Sequence, residues 1–410
     1  MAVTAGTTEA VSLQATRRAL VIADDIGLFL AVARSLGRAG VDVGVATSEH
    51  DYPGLTSCYV ARVHTVPPYI SRARDWLDSL ERLVRHYEYR LIFPTSDSSL
   101  VMLAQHAERL GPERLAIPNR EALAALTDKA ATRELAKRLG VPVADGFSID
   151  AATTAADLRR RFGLPLVLKP RKSFAPGMPC PKSAACIVVT PQALADELAA
   201  NGGEGVIAER FFSGEGVGVS VLCENGKIAL AWQHRRLEAV GATGRSSVRR
   251  GEPVDPLLLR DVEALVKAVQ LSGVAMFEFR QDPVTCEHVL IEVNARFWGS
   301  LPLALAGAAD FPARLWAQMT GERANPPPRL VCRVYRKSLL GEFERLGLGP
   351  QPHNLCSRAQ KAGLVLEALL RPNNFDGWSR DDPRPHYSEL RQILGSFLAK
   401  VLLSRRNSEL

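Results

Sequence analysis

The sequence predicts an α/β fold: a Rossmann-like parallel sheet first, then an α+β body, then a helical C-terminal extension. Three observations carry this expectation. Apolar runs alternate with amphipathic helical segments over the first quarter of the chain, the pattern of βαβ units in a parallel sheet. Further on, apolar runs come in close pairs joined by turn signals, the pattern of hairpins. Beyond Gly321 the composition shifts to Asn325-Pro326-Pro327-Pro328 and then to amphipathic helical stretches. At 410 residues the chain exceeds the roughly 250–300 that one core supports, so more than one folded unit is expected.

Taken in order, the first sixteen residues are small and polar and read as a frayed tail, with residues 1–18 assigned to it. Ala19-Leu20-Val21-Ile22-Ala23 reads as a buried strand, the segment through Leu36 as a helix ending at Gly40, and Val41–Ala46 as the next strand. A helix over Ala73–Tyr87 and a strand at Leu91-Ile92-Phe93 continue the alternation to about residue 120. Ser96 and Asp97 follow that strand, where open α/β sheets collect ligands; Asp97 is a candidate substrate contact and equally a candidate helix cap. No G-x-G-x-x-G motif follows the first strand, which disfavours a dinucleotide-dependent oxidoreductase.

A compact helix is expected from Lys129 to about Leu139, capped by Thr127 or Asp128 and stopped by Gly140. Lys129 in its first turn opposes the helix dipole, which makes sense if a phosphate lies nearby. Leu164–Pro170 is a strand ending in the inward-facing Lys169, and a buried lysine normally needs an anion. Ser173–Gly177 is a small-residue loop that could close over phosphates but is poor in glycine; by composition a surface turn is favoured. Val206–Phe212 is a strand leading out through aromatics. Asn225-Gly226 marks a hairpin between Val217–Cys223 and Ile228–Trp232. Gly241–Gly251 reads as a flexible stretch before a helix from Pro256 to about Leu271. Gly214, Gly216 and Gly218 lie between strands, so they are not a dinucleotide motif.

The most informative stretch is Ile291-Glu292-Val293-Asn294-Ala295-Arg296 with Glu278 upstream. Strand residues alternate faces, so Glu292 and Asn294 share one face, while Glu278 points opposite to Phe277 and Phe279. Asp282-Pro283-Val284-Thr285-Cys286 carries a turn signal, so the two runs form a hairpin. If its polar faces coincide, two carboxylates and an amide oxygen converge, hard ligands that suit Mg²⁺ with substrate phosphates. Half-exposed sheets show the same alternation, so the pair alone does not decide function.

Composition adds bounds. The net charge of +7 suggests polyanionic partners, yet scattered arginines and no nucleic-acid motif leave a nucleotide as the better fit and exclude nucleic acid. Seven cysteines without C-x-x-C spacing point to reduced thiols in a cytoplasmic protein, not zinc or redox chemistry. No apolar run reaches the ~20 residues that span a bilayer. None of the eight histidines forms an obvious triad. The apolar periodicity of Leu390–Leu402 beside Arg405 and Arg406 allows packing on the body, pairing in a homo-oligomer or peripheral membrane contact, and packing is preferred.

The ordered set Asp128-Lys129, Val167-Leu168-Lys169-Pro170, Glu209-Arg210-Phe211-Phe212, Met276-Phe277-Glu278-Phe279 and Ile291–Arg296 resembles the ATP-grasp superfamily. The likeness is to its carbamoyl-phosphate-synthetase-like carboxylate–amine ligases and spans roughly residues 19–325. It implies a pre-ATP-grasp Rossmann-like domain over 19–120, an ATP-grasp domain over 121–325 (small lobe 121–212, large lobe 213–325) and an extension over 326–410. It further implies that Lys129 and Lys169 contact ATP phosphates beside Ser173. Glu209–Phe212 would hold adenine through backbone groups of Arg210 and Phe212, and Glu215 would stand in for the family's ribose-binding acid. Glu278, Glu292 and Asn294 would bind two Mg²⁺ ions, or Mn²⁺, and Arg296 would steady the transferred phosphate. The implied reaction joins a small-molecule carboxylate to an amine or thiol. Arg236, with Ser246, Ser247 and Arg249, are candidates for the acceptor's carboxylate, because arginine reads carboxylates in a bidentate way. A nucleotide-binding regulatory module without turnover is the alternative.

Overall fold

The computed structural model describes residues 16–174, 185–201, 205–240, 245–323, 330–332, 334–345 and 358–407. Four parallel strands open the chain, β1 (Arg18–Ile22), β2 (Asp42–Thr47), β3 (Arg62–Thr65) and β4 (Leu91–Phe93), in the order β3-β2-β1-β4. β1 and β4 are buried on both faces, as a sheet covered by crossover helices must be, and they read in sequence as unbroken apolar runs. The helix Ile26–Arg38 covers one face with Phe29, Val32 and Leu36, and Ala73–Tyr87 covers the other with Trp76, Leu77 and Leu80. Arg18 belongs to β1, so the expected tail ends before it.

β5 (Gly146–Ser148), β6 (Leu166–Pro170), β7 (Cys186–Val188) and β8 (Val206–Arg210) form an antiparallel sheet ordered β5-β8-β6-β7. A larger antiparallel sheet follows, ordered β13-β12-β9-β10-β11-β14. Its strands are β9 (Glu215–Glu224), β10 (Lys227–Val240), β11 (Arg245–Glu252), β12 (Gly273–Gln281), β13 (His288–Asn294) and β14 (Tyr335–Lys337). The helix Pro256–Ala268 packs Leu258, Val262, Leu265 and Val266 against the Val217/Val219/Val221 face of β9.

Two expectations are corrected. Most of the stretch read as flexible, Gly241–Gly251, is β11, paired to β10 from Gln233↔Glu252 to Val240↔Arg245; residues 241–244 lie outside the described set. Its arginines concealed a strand because they are held by carboxylates rather than by water: Arg249 by Asp376 and Arg250 by Glu252. The extension is not purely helical either. It contributes β14, which pairs Arg249↔Arg336 at the sheet edge, before the helices Arg358–Leu370 and Arg384–Asn407. Among the described residues, no helix is long and apolar enough to cross a membrane. The side chains of Phe397, Leu398, Val401, Leu402, Arg405 and Arg406 lie outside the described residues.

Candidate active site

The helix Lys129–Arg138 starts where expected, with Asp128 as its cap: Oδ1 accepts from the N–H groups of Ala130 and Ala131 at 3.0 and 3.2 Å. Asp128 also binds Arg171 at 2.7 Å, and the Lys129 N–H donates to the Arg171 carbonyl at 2.9 Å, so the helix start is fastened to the exit of β6. The Lys129 ammonium then reaches Ser173 Oγ at 2.9 Å and Glu292 Oε2 at 3.4 Å. Of the loop beyond Ser173, residues 175–184, Gly177 included, lie outside the described residues.

Lys169 points inward from β6, its side chain only 2% exposed. Its ammonium donates to Glu209 Oε2 and to the Ile291 carbonyl, each at 2.8 Å. An ammonium has three donors, so among the described residues one is left for a ligand. Burial pushes its pKa down against the pull of the Glu209 carboxylate. Glu209 is also held by Arg133, which donates to the Ala144 carbonyl at 2.7 Å. The sequence reading missed Arg133, although its signal was present: it stands four residues after Lys129 and so shares that helix face. The Glu209 side chain is thus engaged by Lys169 and Arg133, which leaves only its backbone for the adenine contact expected of this stretch. The Arg210 N–H donates to the Asp145 carbonyl at 2.7 Å, so of its backbone groups that N–H is already taken. Glu209, Arg210, Phe211, Phe212 and Glu215 all line the cavity between the two sheets, of about 290 Å³, and Glu215 meets Arg235 at 2.8 Å.

On the large sheet, Glu278 and Glu292 are direct cross-strand partners of the β12–β13 hairpin, and Met276 pairs with Asn294 next to them. Like charges directly opposite each other destabilise a sheet, so the pair needs cations. Arg236 supplies one, at 2.6 Å from Glu278 Oε2, and Lys129 the other. Burial pushes the Glu278 carboxyl up; Arg236 opposes the shift and the charge of Glu292 adds to it. Among the described residues, no cluster of three or more His, Cys, Asp or Glu could hold a metal by itself. Two carboxylates with an amide oxygen still fit Mg²⁺ carried in on a nucleotide, which typically uses one or two protein carboxylates plus phosphates.

Two of the three glycines rejected as a dinucleotide motif, Gly216 and Gly218, have a local cause. A Cβ on Gly216 would come 2.9 Å from the Arg236 side chain, and one on Gly218 would come 2.2 Å from the His234 ring. Bare backbone on β9 thus makes room for the neighbouring β10 side chains. Ser246 and Ser247 lie on β11, with their side chains outside the described residues.

Arg296 is bound twice by Asp97, at 2.7 and 2.8 Å, and donates to the Phe297 carbonyl at 2.8 Å. Burial favours the neutral form of Asp97, but the charge and hydrogen bonds of Arg296, with the charge of Lys129, hold its carboxyl below the usual range. Asp97 therefore latches the parallel sheet to the end of β13 through Arg296. Ser96 caps the helix Asp97–Gln105 and donates to Asp24. The buried Asp24 carboxyl also accepts from Thr95 at 2.7 Å and Tyr69 at 2.9 Å, a network that sequence spacing does not show.

Among solved structures the chain is similar to biotin carboxylase from Campylobacter jejuni in its β-γ-ATP complex. The TM-score is 0.61 at 16% identity, over 77% of this chain and 74% of that one. It is similar to an L-amino acid ligase from Bacillus licheniformis (TM-score 0.57, 20% identity, 74% and 73% covered). It also resembles the biotin carboxylase domain of a 2-oxoglutarate carboxylase from Hydrogenobacter thermophilus bound to MgADP and bicarbonate (TM-score 0.58, 16% identity, 77% and 73% covered). The chain has the ATP-grasp fold. No protein-family profile and no curated sequence matches it. Lys169 lines the cavity from β6 and the Glu278–Glu292 pair lines it from the large sheet, while Lys129 reaches Glu292 from outside that lining.

Proposed function

We propose that the chain is an ATP-dependent ligase. A substrate carboxylate oxygen attacks the γ-phosphorus of ATP, and ADP leaves. An amine nitrogen then attacks the acyl phosphate carbon, loses a proton and expels phosphate. The observation that supports this reading is the convergence of Lys169, Glu278 and Glu292 on one cavity between the two antiparallel sheets. Phosphoryl transfer needs mainly positioning and neutralised charge rather than a nucleophilic side chain.

In this reading the cavity holds the nucleotide, with Phe211 and Phe212 along the base and Glu215 near the ribose. Lys169 binds phosphate through its third N–H, pre-oriented by Glu209 and the Ile291 carbonyl. Lys129 turns from Glu292 towards phosphate as the metal nucleotide arrives. Mg²⁺, held by Glu278, Glu292 and Asn294, supplies charge neutralisation at the γ-phosphate. Arg236 is exchanged from Glu278 to the transferred phosphate or the acyl carboxylate, since it lines the cavity beside both carboxylates. Arg296 orients the end of β13 through Asp97.

The test is ADP release from Mg·ATP provoked by a panel of amino acids and small carboxylates. Turnover with at least one pair is expected, and Glu292→Gln should lower it by about a hundredfold or more, the scale lost when transition-state charge stabilisation is removed. Unchanged turnover in that variant would refute the metal assignment.

A further inference from the structure

A second cavity, about 620 Å³, lies where the C-terminal extension meets the body, and its volume suits a small-molecule site. Its walls come from three stretches far apart in sequence. The helix Ile26–Arg38 contributes Ala31 and Arg38, the helix Leu301–Ala306 contributes Leu305, and the extension contributes Arg336, Trp378 and Arg380. None of these six lines the nucleotide cavity.

The charges on this wall do not balance. Arg34, which also lines it, is answered by Asp382 at 2.8 Å, and Arg38 by Asp381 at 2.8 Å. Asp376 has to serve two guanidiniums. Arg336 and Arg249 are cross-strand partners of the β11–β14 pair, so they stand on one face of the sheet, and both charges act on Asp376. Arg249 takes that carboxylate as an ion pair. Arg336 donates to the Asn373 carbonyl and, among the described residues, forms no ion pair. Burial pushes its pKa down, and the charge of Asp376 is what opposes the shift. Unlike Arg249, whose side chain is 6% exposed, Arg336 is only half-buried and lines the cavity. Arg380 is exposed on the same wall.

A partly desolvated guanidinium without a carboxylate of its own is a place for an anion, because arginine offers several N–H donors in a rigid fork. The neighbouring groups narrow the class. The four lone-pair sites of Asp381 accept from Arg38 twice, from Tyr59 and from Ser379. Asp376 gives one oxygen to Arg249, and its other oxygen is buried out of reach. An ammonium would therefore find no free acceptor here, which rules out an amine and leaves an amino acid half-answered. Trp378 presents a half-buried indole, with Ala31 and Leu305 as apolar walls, so a bare inorganic ion would answer the charge and leave this surface wet. We propose that this cavity binds a small anion carried on an apolar or aromatic body, its phosphate or carboxylate on Arg336 and Arg380 and its body against Trp378. The bound anion bridges the extension to the two helices on which it rests. This site is independent of the ligase reading.

Isothermal titration of the full chain tests this with phenyl phosphate, benzoate, inorganic phosphate and the uncharged benzyl alcohol. Phenyl phosphate or benzoate should bind with a Kd of about 1 mM or lower, and inorganic phosphate and benzyl alcohol at least about tenfold more weakly. Which of the two aryl anions binds tells a phosphate site from a carboxylate site. Arg336→Gln should weaken that anion by about tenfold or more, and Arg380→Gln should act in the same direction. Lys169→Met, in the nucleotide cavity, should leave its Kd unchanged. No binding of either aryl anion, equal binding of benzyl alcohol or inorganic phosphate, or unchanged affinity in both arginine variants would overturn the proposal. So would a loss in Lys169→Met that Arg336→Gln does not share, because the anion would then occupy the nucleotide cavity.

Discussion

Lys169, Glu209 and Arg133 form a buried triad in which one carboxylate neutralises two cations. The arrangement makes the three residues unequal under mutation. Glu209→Gln leaves two buried cations uncompensated, and breaking a buried pair in that way typically costs about 3–5 kcal/mol. Lys169→Met leaves the Arg133–Glu209 pair intact, so it should cost less stability while weakening Mg·ATP binding. Urea unfolding of both variants, with nucleotide titration of the second, checks this; equal stability loss would mean Lys169 is the structural partner that matters. His234 gives the pH counterpart. Its folded pKa of about 3 lies below the ordinary imidazole value of 6.5, so between these values the unfolded chain binds the extra proton. Its contribution to stability is therefore complete above about pH 6.5 and is lost as pH falls towards 3, at up to about 1.4 kcal/mol per pH unit. His234→Gln should flatten the acid limb of the stability–pH curve by about one proton, measured by unfolding at successive pH values.

At the scale of elements, the large sheet is organised around Trp232 on β10, whose ring lies against two glycines. A Cβ on Gly307 would come 2.1 Å from the indole, and one on Gly251 would come 2.5 Å from it. Overpacking of that kind costs about 1–3 kcal/mol, so Gly307→Ala should lower the unfolding free energy by that amount, moving the midpoint to lower denaturant without altering the slope. Strong periodicity made many elements legible in the sequence: the helix Ala73–Tyr87, the strand Leu91–Phe93 and the facing of Glu278 and Glu292 are as the pattern implies. What was not legible depends on partners distant in sequence. β11 carries arginines that look solvated until Asp376 is brought to them, and β3 has almost no apolar signal because it is an edge strand, largely exposed. Glu209 looked like a strand-exit contact because nothing local reveals that Arg133 and Lys169 converge on it.

For the whole molecule, the C-terminal extension is fastened at both ends of its reach, and this fixes the second cavity's wall. One fastening is β14, which joins the large sheet. The other is Asp382, whose carboxylate takes Arg34 Nε at 2.8 Å, Ser57 Oγ at 2.6 Å and the Cys58 N–H at 3.0 Å, all from the parallel-sheet domain. Arg34 and Asp382 are 5% and 1% exposed, so water cannot substitute for either. Burial favours the neutral Asp382, but Ser57 and Arg34 outweigh it and hold the carboxyl below the ordinary aspartate value of 3.8. The stability it contributes is present above that value and lost as pH falls through the lower folded pKa. Asp382→Asn should destabilise by about 3–5 kcal/mol, because it leaves Arg34 buried and uncompensated. Arg34→Met combined with Asp382→Leu should recover most of this, since apolar replacement of a buried pair is often neutral. The anchor sits away from the nucleotide cavity, so Mg·ATP affinity should hold in Asp382→Asn. Its loss would mean that the extension supports the fold as a whole, whereas unchanged affinity means that the fastening shapes only the second cavity's wall.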